Sequence, residues 1–598
     1  MPLSLLFRSL AFAALLCPLP ALSEPRTGIA LHGTPALGAG FDHFPYVNPV
    51  APKGGRITLG QQGSFDSLNP LIIKGVAAAG TREFQLESLM ARGLDEPFTL
   101  YGLIAETIDV ADDKKSVTFD LNPKAAFSDR RPITADDVIF SFELLKTKGR
   151  PNHRTYFAKV TLAEKIAERR VRFTFQDASD RELPLILGLM PVLAKHSMSP
   201  ETFEQTTMTP LVGSGPYTIS RIDAGRSISY KRDPGYWGND LPVIKGRFNF
   251  EEIRFEYYRE GSVMLEAFKS GGIDLRLEED PANWASQYDF PAVRDGRVVK
   301  KEFDIALPAG MTALVFNTRR DIFKNPIVRR ALINLFDFEW INRTLYYGLQ
   351  KRTDSYFVRS YLASTGIPAD ARERELLAAY PGSVRPEILD GKFGLAKSDG
   401  SGQNRDNQKA AFELLKEAGY KLEQGRLIDS AAGKPLGFEI LAQNRSQEAL
   451  LLSFARGLEP LGIKAVVRMV DSTQYQARLN DYDYDMIQTT WTSSLSPGNE
   501  QLFRWSKSTT DTPGSYNFAG VKNPAADAMI DAMLAAGDKE AFVSAVRALD
   551  RVLLSGDYVI PMFHVPKQWV GHWTRLKHPA KTPVFGYAVD TWWIEEPK

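Results

Sequence analysis

The only cysteine of this 598-residue chain, Cys17, lies in the N-terminal leader. The rest of the chain can therefore form neither a disulfide nor a cysteine-ligated metal site. Hydrophobic burial alone must hold the fold together, and a chain of this length exceeds one ordinary core, so that about three or four domains are expected. The composition, with 43% hydrophobic and 24% charged residues, is that of a globular protein.

Residues 1–23 have the pattern of a secretory signal peptide. Arg8 supplies the positive charge, residues 10–16 (LAFAALL) form a short apolar stretch, and Ala21-Leu22-Ser23 offers small residues for cleavage after Ser23. The alternative of a membrane anchor is disfavoured, because a bilayer span needs about 20 apolar residues. Leu16 stands before Cys17 where a lipoprotein would have a small residue. We expect a periplasmic protein that is not a lipoprotein.

Charge and motifs exclude several functional classes. Lys and Arg total 73 and Asp and Glu total 72, which argues against a nucleic-acid partner. The seven histidines make no metal-binding motif, and no nucleophile elbow, phosphate loop or dinucleotide fingerprint occurs. Acid pairs such as Asp136-Asp137 predict a solvated surface. We expect no catalytic residue, metal or cofactor, with a secreted hydrolase as a minor alternative.

Hydrophobic periodicity predicts a mixed α/β fold. Residues 56–60, 117–121 and 171–175 predict strands, residues 80–93 predict a helix, and another helix should begin after Thr134, a favourable N-cap. From about residue 304, helices and strands alternate, as in a sheet with helices on its faces. The second half predicts helices at 326–346, 407–418, 447–459, 524–535 and 539–555, strands at 438–441 and 463–470, and a long surface loop at 366–400.

Six segments, in order, resemble the oligopeptide- and dipeptide-binding proteins of extracellular solute-binding family 5. They are Ser67–Pro70, Ala126–Asp129 with Ile133–Val138, Val212–Tyr217, Pro234–Gly238, Phe316–Thr318 and Val328–Leu332. The YejA-like branch is the most similar. The resemblance to this branch is found in the segments Phe44–Pro49, Ala51–Gly55, Gly63–Pro70 and Ser494–Gln501. Its members are associated with peptide-type cargo, including peptides derived from the cell wall.

The resemblance implies a two-lobed periplasmic binding protein fold (type II, similar to cluster C) with a hinge and an additional inserted domain. Domain I would comprise residues 24–76, 208–303 and 558–598, domain II the insertion at 77–207, and domain III residues 304–557. Cargo held between two lobes buries most of its surface, and closure signals loading. The implied partners are a peptide or peptide-like ligand and an inner-membrane ABC permease with its ATPase. We expect a monomer.

The resemblance also suggests where cargo binds. Peptide-binding relatives place an acid three residues after a tryptophan at the end of a domain III strand, where it pairs with the peptide's free amine. Here the tryptophan is Trp491 and the residue three further on is Ser494, so the acid is absent. A buried ammonium without a partner costs several kcal/mol. Glu500 or Asp66 could replace it, or the cargo lacks a free amine at that end.

Twelve residues are therefore candidate ligand contacts. Arg504 suits a carboxylate, and the hydroxyls and amides after Trp491 suit a neutral polar group. The full set is Phe65, Asp66, Trp284, Trp491, Thr492, Ser493, Ser494, Asn499, Glu500, Arg504, Tyr516 and Asn517. Other cargo for the same fold, such as a glycan, an opine or a metal chelate, remains an alternative, as does a sensor or chaperone role.

The leader supplies a direct test. Protein recovered from the periplasm should begin at Glu24, since small residues precede that bond. It should also contain no thiol that reacts with Ellman's reagent under denaturing conditions, because Cys17 is removed. N-terminal sequencing and intact-mass measurement check both expectations. A mature chain that retains Cys17, or that carries a lipid, would contradict the predicted cleavage.

Overall fold

The computed structural model describes residues 26–178, 180–443 and 445–595, so the expected signal peptide lies outside the described residues. The described chain forms two lobes with separate sheets and cores. The first lobe holds a seven-stranded, a four-stranded and a three-stranded sheet, and the second lobe holds a five-stranded sheet. Among the described residues, no helix combines the length and apolar character needed to cross a bilayer.

The seven-stranded sheet is mixed and gathers strands from three distant parts of the chain. Arg56–Gln62 and Glu252–Tyr258 pair in parallel over their full length, although nearly 200 residues separate them. The strand order is Val298–Phe303, Gln568–Trp573, Leu275–Glu278, Arg56–Gln62, Glu252–Tyr258, Ser227–Arg232 and Tyr217–Asp223. Its helices are Gly261–Lys269, Pro281–Ser286 and Pro291–Arg294, and a short ladder joins Leu576–Lys577 to Trp593–Ile594.

The four-stranded sheet is antiparallel, in the order Ala105–Val110, Ser116–Leu121, Arg170–Phe175 and Val160–Ala167. Helix Ala135–Lys148 begins at Thr134 through a capping box, as the sequence predicts. Asp137 accepts the backbone N–H of Thr134 at 3.0 Å and so satisfies one free end of the helix. Helices Pro151–Phe157 and Leu183–Gly188 follow. The three-stranded sheet joins Gly28–Ala30, Thr99–Gly102 and Met90–Arg92.

The second lobe is built on a five-stranded sheet in the order Lys464–Met469, Gly437–Ala442, Met486–Trp491, Met311–Phe316 and Val559–Pro561. Its helices are Asp321–Lys324, Pro326–Asn334, Phe338–Leu345, Ala371–Ala378, Pro386–Leu389, Arg405–Glu417, Arg445–Leu458, Ser472–Asn480, Glu500–Trp505, Pro524–Ala535 and Lys539–Ser555. A short antiparallel ladder pairs Lys351–Arg352 with Phe563–His564, and a hairpin pairs Tyr420–Glu423 with Arg426–Asp429. The alternation expected from residue 304 is confirmed.

The chain crosses between the lobes twice. The first crossing follows strand Val298–Phe303 and precedes strand Met311–Phe316. The strand Val559–Pro561 pairs with Met311–Phe316, so it still belongs to the five-stranded sheet of the second lobe. The second crossing therefore lies between His564 and Gln568, later than the boundary expected at residue 557. The other domain boundaries stay predictions.

Three local predictions were wrong. The helix expected at 80–93 is a single π-helical turn, Thr81–Gln85, followed by the strand Met90–Arg92. The helix expected at 326–346 is two helices, because Asp337 accepts the backbone N–H of Trp340 and begins a second helix. The loop expected at 366–400 contains the helices Ala371–Ala378 and Pro386–Leu389. In each case a capping or tertiary contact outweighs the local pattern.

A buried ion pair ties this segment to the longest helix of the second lobe. Arg551 of Lys539–Ser555 donates to Glu373 at 2.6 Å, and both side chains are 0% exposed. The guanidinium also donates to the carbonyl oxygens of Ile388 at 2.5 Å and Ile367 at 2.7 Å. The guanidinium of Arg551 thus has three acceptors, one carboxylate and two carbonyl oxygens, which together stabilise its buried positive charge. The pair fixes residues 367–388 against the lobe.

We expect Arg551→Met to lower the free energy of unfolding by about 3–5 kcal/mol, because it leaves the carboxylate of Glu373 buried without its cation. Chemical denaturation followed by circular dichroism measures the change. Arg374→Met is the matched control, since its pair with Asp390 is about half exposed on both sides and should contribute under ~1 kcal/mol. Equal losses in the two variants would contradict the buried-pair account.

Candidate functional site

A pair of packed tryptophans anchors the polar segment at the end of a central strand. Trp491 ends the strand Met486–Trp491, and its ring lies 4.7 Å from Trp505 and 5.9 Å from Phe518 between centroids. Its indole N–H donates to the carbonyl of Tyr516 at 3.1 Å. Trp505 donates to the side chain of Gln501 at 2.9 Å. Both tryptophans are almost fully buried, so residues 492–499, here the cleft loop, begin and end near a rigid base.

Hydrogen bonds also fix the cleft loop from within. The hydroxyl of Ser493 donates to the carbonyl of Tyr356 at 3.0 Å, and Arg504 donates to the carbonyl of Thr492 at 2.7 Å. The hydroxyl of Ser494 accepts the backbone N–H of Ser496 at 3.2 Å. The hydroxyl therefore supports a turn at the position where relatives place the acid.

The cleft loop meets the first lobe at two carboxylates. A Cβ built on Gly498 would lie 3.3 Å from an Oε of Glu182 and 3.4 Å from an Oε of Glu500, so both carboxylates border this glycine. The backbone N–H of Gly498 donates to both oxygens of Glu500 at 3.0 Å. Glu182 precedes the first-lobe helix Leu183–Gly188. The two acids thus approach each other from opposite lobes.

The electrostatics of this contact favour a cation. Burial raises the pKa of Glu182, and the neighbouring carboxylates of Asp180 and Glu500 raise it further, while Lys159 opposes them. Lys159 pairs directly with Asp180. One ammonium for three close acids, Asp180, Glu182 and Glu500, leaves an excess of negative charge around Glu182 where the lobes meet. A positively charged group placed there would relieve the repulsion.

Aromatic and cationic groups form the rim beside the acids. Burial lowers the pKa of Arg504, and the nearby Glu500 and Tyr516 partly offset this effect. Tyr516 is 59% exposed and Phe503 is 55% exposed, which is unusual for side chains of this size. The sequence analysis did not include Phe503 among the candidate ligand contacts. Its position beside Arg504 in helix Glu500–Trp505 was the only signal that could have indicated it.

One cavity adjoins the site, and a second lies within the first lobe. One, of about 780 Å³, lies between the lobes and is lined from the first lobe by His32, Asp95 and Phe98 and from the second by Tyr361 and Leu495. Because Leu495 belongs to the cleft loop, this cavity adjoins the site. The other, of about 590 Å³, lies in the first lobe beside Gln61, residues 77–84 and residues 275–277. It borders the last residues of parallel strands, the place where open α/β sheets bind ligands.

Four of the predicted contacts lie inside the lobes. Phe65 is 3% exposed and packs against Tyr257 at 4.9 Å, and Trp284 is 2% exposed and stacks on Trp569 at 6.0 Å. Asn517 is fully buried and its amide donates to two carbonyl oxygens of its own lobe. Trp491 is likewise buried beneath the cleft loop. These four side chains thus pack within the lobes in this structure, and their direct contact with ligand stays a prediction.

The remaining candidates are accessible to different extents. Thr492, Asn499 and Tyr516 are exposed, while Ser493, Ser494, Glu500 and Arg504 are half-buried at the cleft loop. Asp66 is exposed, but its carboxylate accepts the backbone N–H of Val76 at 2.6 Å and thereby holds a first-lobe loop. The second-lobe candidates cluster, and Asp66 is not tied to them by any contact described for this chain. Within the described residues, no group of three potential ligand side chains could hold a metal ion.

Sequence comparisons place the chain among binding proteins. Residues 99–513 match the family described as "Bacterial extracellular solute-binding proteins, family 5 Middle". A Brucella suis biovar 1 (strain 1330) protein, named as a binding protein without a stated ligand, is 49% identical over 594 residues, covering 98% of this chain and 96% of the relative. "Peptidoglycan-binding protein YepA" of Agrobacterium fabrum is 46% identical, with 96% and 95% covered. YejA of Escherichia coli K12 is 36% identical, with 95% and 93% covered.

Solved structures share the fold. The oligopeptide-binding protein AppA from Bacillus subtilis, in complex with a nonapeptide, has a TM-score of 0.59 at 18% identity, covering 91% of this chain and all of that one. NikA from Brucella suis, in complex with Fe(III)-EDTA, has a TM-score of 0.64 at 20% identity, covering 87% and 96%. The predicted two-lobed fold with a hinge is confirmed. These neighbours also show that the fold accepts chemically different cargo.

The repulsion at Glu182 predicts a stability change with a defined pH dependence. Because the pKa of Glu182 is raised in the folded protein, ionisation of this carboxyl destabilises the fold when the pH is above the usual pKa of a carboxyl group. The destabilisation disappears at low pH, where Glu182 is protonated in both the folded and the unfolded protein. Glu182→Gln should therefore raise the melting temperature at pH 7.5, with a gain in the free energy of unfolding under ~1 kcal/mol because the group is partly solvated. The gain should vanish by about pH 4. Thermal denaturation at both pH values measures it.

The exposed Glu143→Gln is the control, because Glu143 lies on the outer face of helix Ala135–Lys148. It should leave the melting temperature unchanged at either pH. A Glu182→Gln variant that is less stable than the wild type at pH 7.5 would show that the carboxylates are not repelling each other.

Proposed function

Because this chain belongs to the bacterial extracellular solute-binding proteins of family 5, in its YejA-like branch, we propose that it captures peptide cargo in the periplasm and delivers it to an inner-membrane ABC permease. The cargo includes peptides derived from the cell wall. It binds between the lobes at the cleft loop, and closure of the first lobe over it buries most of its surface. The permease and its ATPase then recognise the closed form.

One observation carries the proposal: Glu500, just after the cleft loop, and Glu182 of the other lobe both border Gly498. Peptides present an ammonium group, and two carboxylates at the boundary between lobes supply the compensating charge only when the lobes come together. Closure is then coupled to the presence of a cation in the cleft. In this arrangement Glu500, six positions after Ser494 and at the start of helix Glu500–Trp505, supplies the acid that is absent at position 494.

The structure favours Glu500 over Asp66 as the amine partner. The carboxylate of Asp66 is engaged in holding its own loop through Val76. Both oxygens of Glu500 also accept hydrogen bonds, from Gly498 and Gln501, but these hold the carboxylate at the face that meets the first lobe. A carboxylate offers about four acceptor sites, so a ligand N–H can be added.

The surrounding groups suit a peptide that carries a sugar or other polar modification. The exposed rings of Tyr516 and Phe503 offer apolar faces against which a sugar ring or side chain can pack. The exposed side chains of Thr492 and Asn499 add neutral polar groups. Among the relatives, the name of YepA states peptidoglycan binding, and the Bacillus subtilis neighbour was solved with a nonapeptide. Both names agree with cargo of this chemistry.

Isothermal titration calorimetry tests the amine anchor with an unmodified tripeptide and its N-acetylated form. Glu500→Gln should weaken binding of the free-amine tripeptide about 10- to 100-fold, the worth of a hydrogen bond to a charged group. Asp66→Asn should bind as the wild type does. The N-acetylated tripeptide should bind weakly and equally to the wild type and to Glu500→Gln, since it carries no ammonium.

Two outcomes would contradict parts of this account. If the N-acetylated or muramyl form binds more tightly than the free tripeptide and Glu500→Gln changes nothing, the amine anchor is wrong while peptide capture stands. If none of these peptides binds, native mass spectrometry of the protein as purified identifies the retained cargo. A glycan, an opine or a metal chelate there would replace peptide as the substrate class.

A further inference from the structure

A second contact between the lobes lies away from the carboxylate pair. The imidazole of His32, which follows strand Gly28–Ala30 in the first lobe, stacks on the ring of Phe542 in the second-lobe helix Lys539–Ser555. The ring centroids are 4.2 Å apart and the planes are inclined by 26°. Both ring nitrogens of His32 are buried and find no hydrogen-bond partner among the described residues. The imidazole therefore behaves as an apolar ring at this interface.

Arg181 reinforces the same contact. Its guanidinium donates from the first lobe to the carbonyl of Ala536 and, at 3.4 Å, to that of Gly537. Ala536 is the C-cap of helix Pro524–Ala535, where the carbonyl groups form the negative end of the helix dipole. A cation at this end is favourable. Phe98 of the first lobe packs against hydrophobic cores of both lobes and completes the apolar part of the contact.

Charged groups surround the imidazole on every side. Burial, together with the cations of Arg181 and Lys539, lowers the pKa of His32 to about 4, while Asp538 opposes this shift. The adjoining cavity wall adds Asp95, Glu96 and Arg359. A proton on His32 would thus be placed beside two cations, on a ring whose buried nitrogens have no hydrogen-bond acceptor among the described residues. In an open form, with the ring in water, the pKa returns towards about 6.5.

We infer that His32, Phe542 and Arg181 form a latch that stabilises the closed lobes, and that protonation of His32 releases it. The latch involves none of the side chains proposed to contact cargo, so it acts on closure rather than on recognition. The neutral ring stacks on Phe542 and holds the lobes together. The imidazolium is repelled by Arg181 and Lys539, and separation of the two surfaces relieves this repulsion and lets water reach the ring nitrogens.

The direction of the pH effect on closure follows from the linkage between proton binding at His32 and opening of the lobes. The closed form binds fewer protons than the open form between the two pKa values, so closure is favoured at high pH and is lost as the pH falls below about 6.5. Between pH 7.5 and pH 5, the ratio of closed to open molecules should fall about 25-fold. Acidification of the periplasm would therefore promote opening and release.

Two measurements test the latch on the full mature protein without any cargo. Histidine carbon–proton NMR, with the His32 signal identified by its loss in His32→Phe, should give a titration well below pH 6.5. Electron–electron double resonance between spin labels at Lys124→Cys in the first lobe and Lys409→Cys in the second should show the open population growing as the pH falls from 7.5 to 5. His32→Phe retains a stacking ring that cannot titrate, and should abolish this response.

His43→Asn is the matched control, because His43 is also in the N-terminal segment and pairs only with Asp42 at the surface. It should leave the pH response intact. Phe542→Leu removes the stacking ring but keeps the site apolar, and should move the His32 titration towards pH 6.5. A His32 titration near 6.5 in the wild type, an open population independent of pH, or a His32→Phe variant with the wild-type response would each overturn the latch.

Discussion

The packing of Trp491 against Trp505 is the contact on which the binding region depends. Trp491 ends a central strand of the second lobe, and Trp505 ends the short helix that follows the cleft loop. With both rings buried and both indole N–H groups donating hydrogen bonds, the two ends of the loop cannot move independently. A short loop held at both ends loses little conformational entropy when ligand binds. The position of Glu500, the exposure of Tyr516 and the turn at Ser494 all follow from this anchor.

The two inter-lobe contacts have different physical character. At Glu182 and Glu500 two acids approach each other, so closure there is unfavourable until a cation is present. At His32 and Arg181 the groups are complementary, so closure there is favourable without cargo. The balance of the two sets the closed population. A binding protein needs both, because a permanently closed form could not load cargo and a permanently open one could not present it.

Much of the architecture could be read from sequence because it depends on local and periodic features. The helices at 524–535 and 539–555 have the predicted bounds, since apolar residues recur at helical spacing and Asn523 and Asp538 supply caps. The segment at 80–93 was mispredicted for the opposite reason. Its apolar residues have helical spacing, yet Phe84 packs on Tyr217 and Tyr230 and residues 90–92 pair with a strand. Tertiary pairing there outweighs a weak local preference.

By itself, the sequence determined the family and the absence of cysteine after residue 17, because motif order and residue type are properties of the chain. It could not separate Trp284 and Asn517, which are buried, from Thr492 and Asn499, which face solvent. Burial depends on what distant segments place against a residue. Only the tertiary structure brings Glu182 to Glu500 and His32 to Phe542, pairs separated by more than 300 positions along the chain. Contacts of that range leave no periodic trace in a single sequence, because neither partner's local pattern depends on the other.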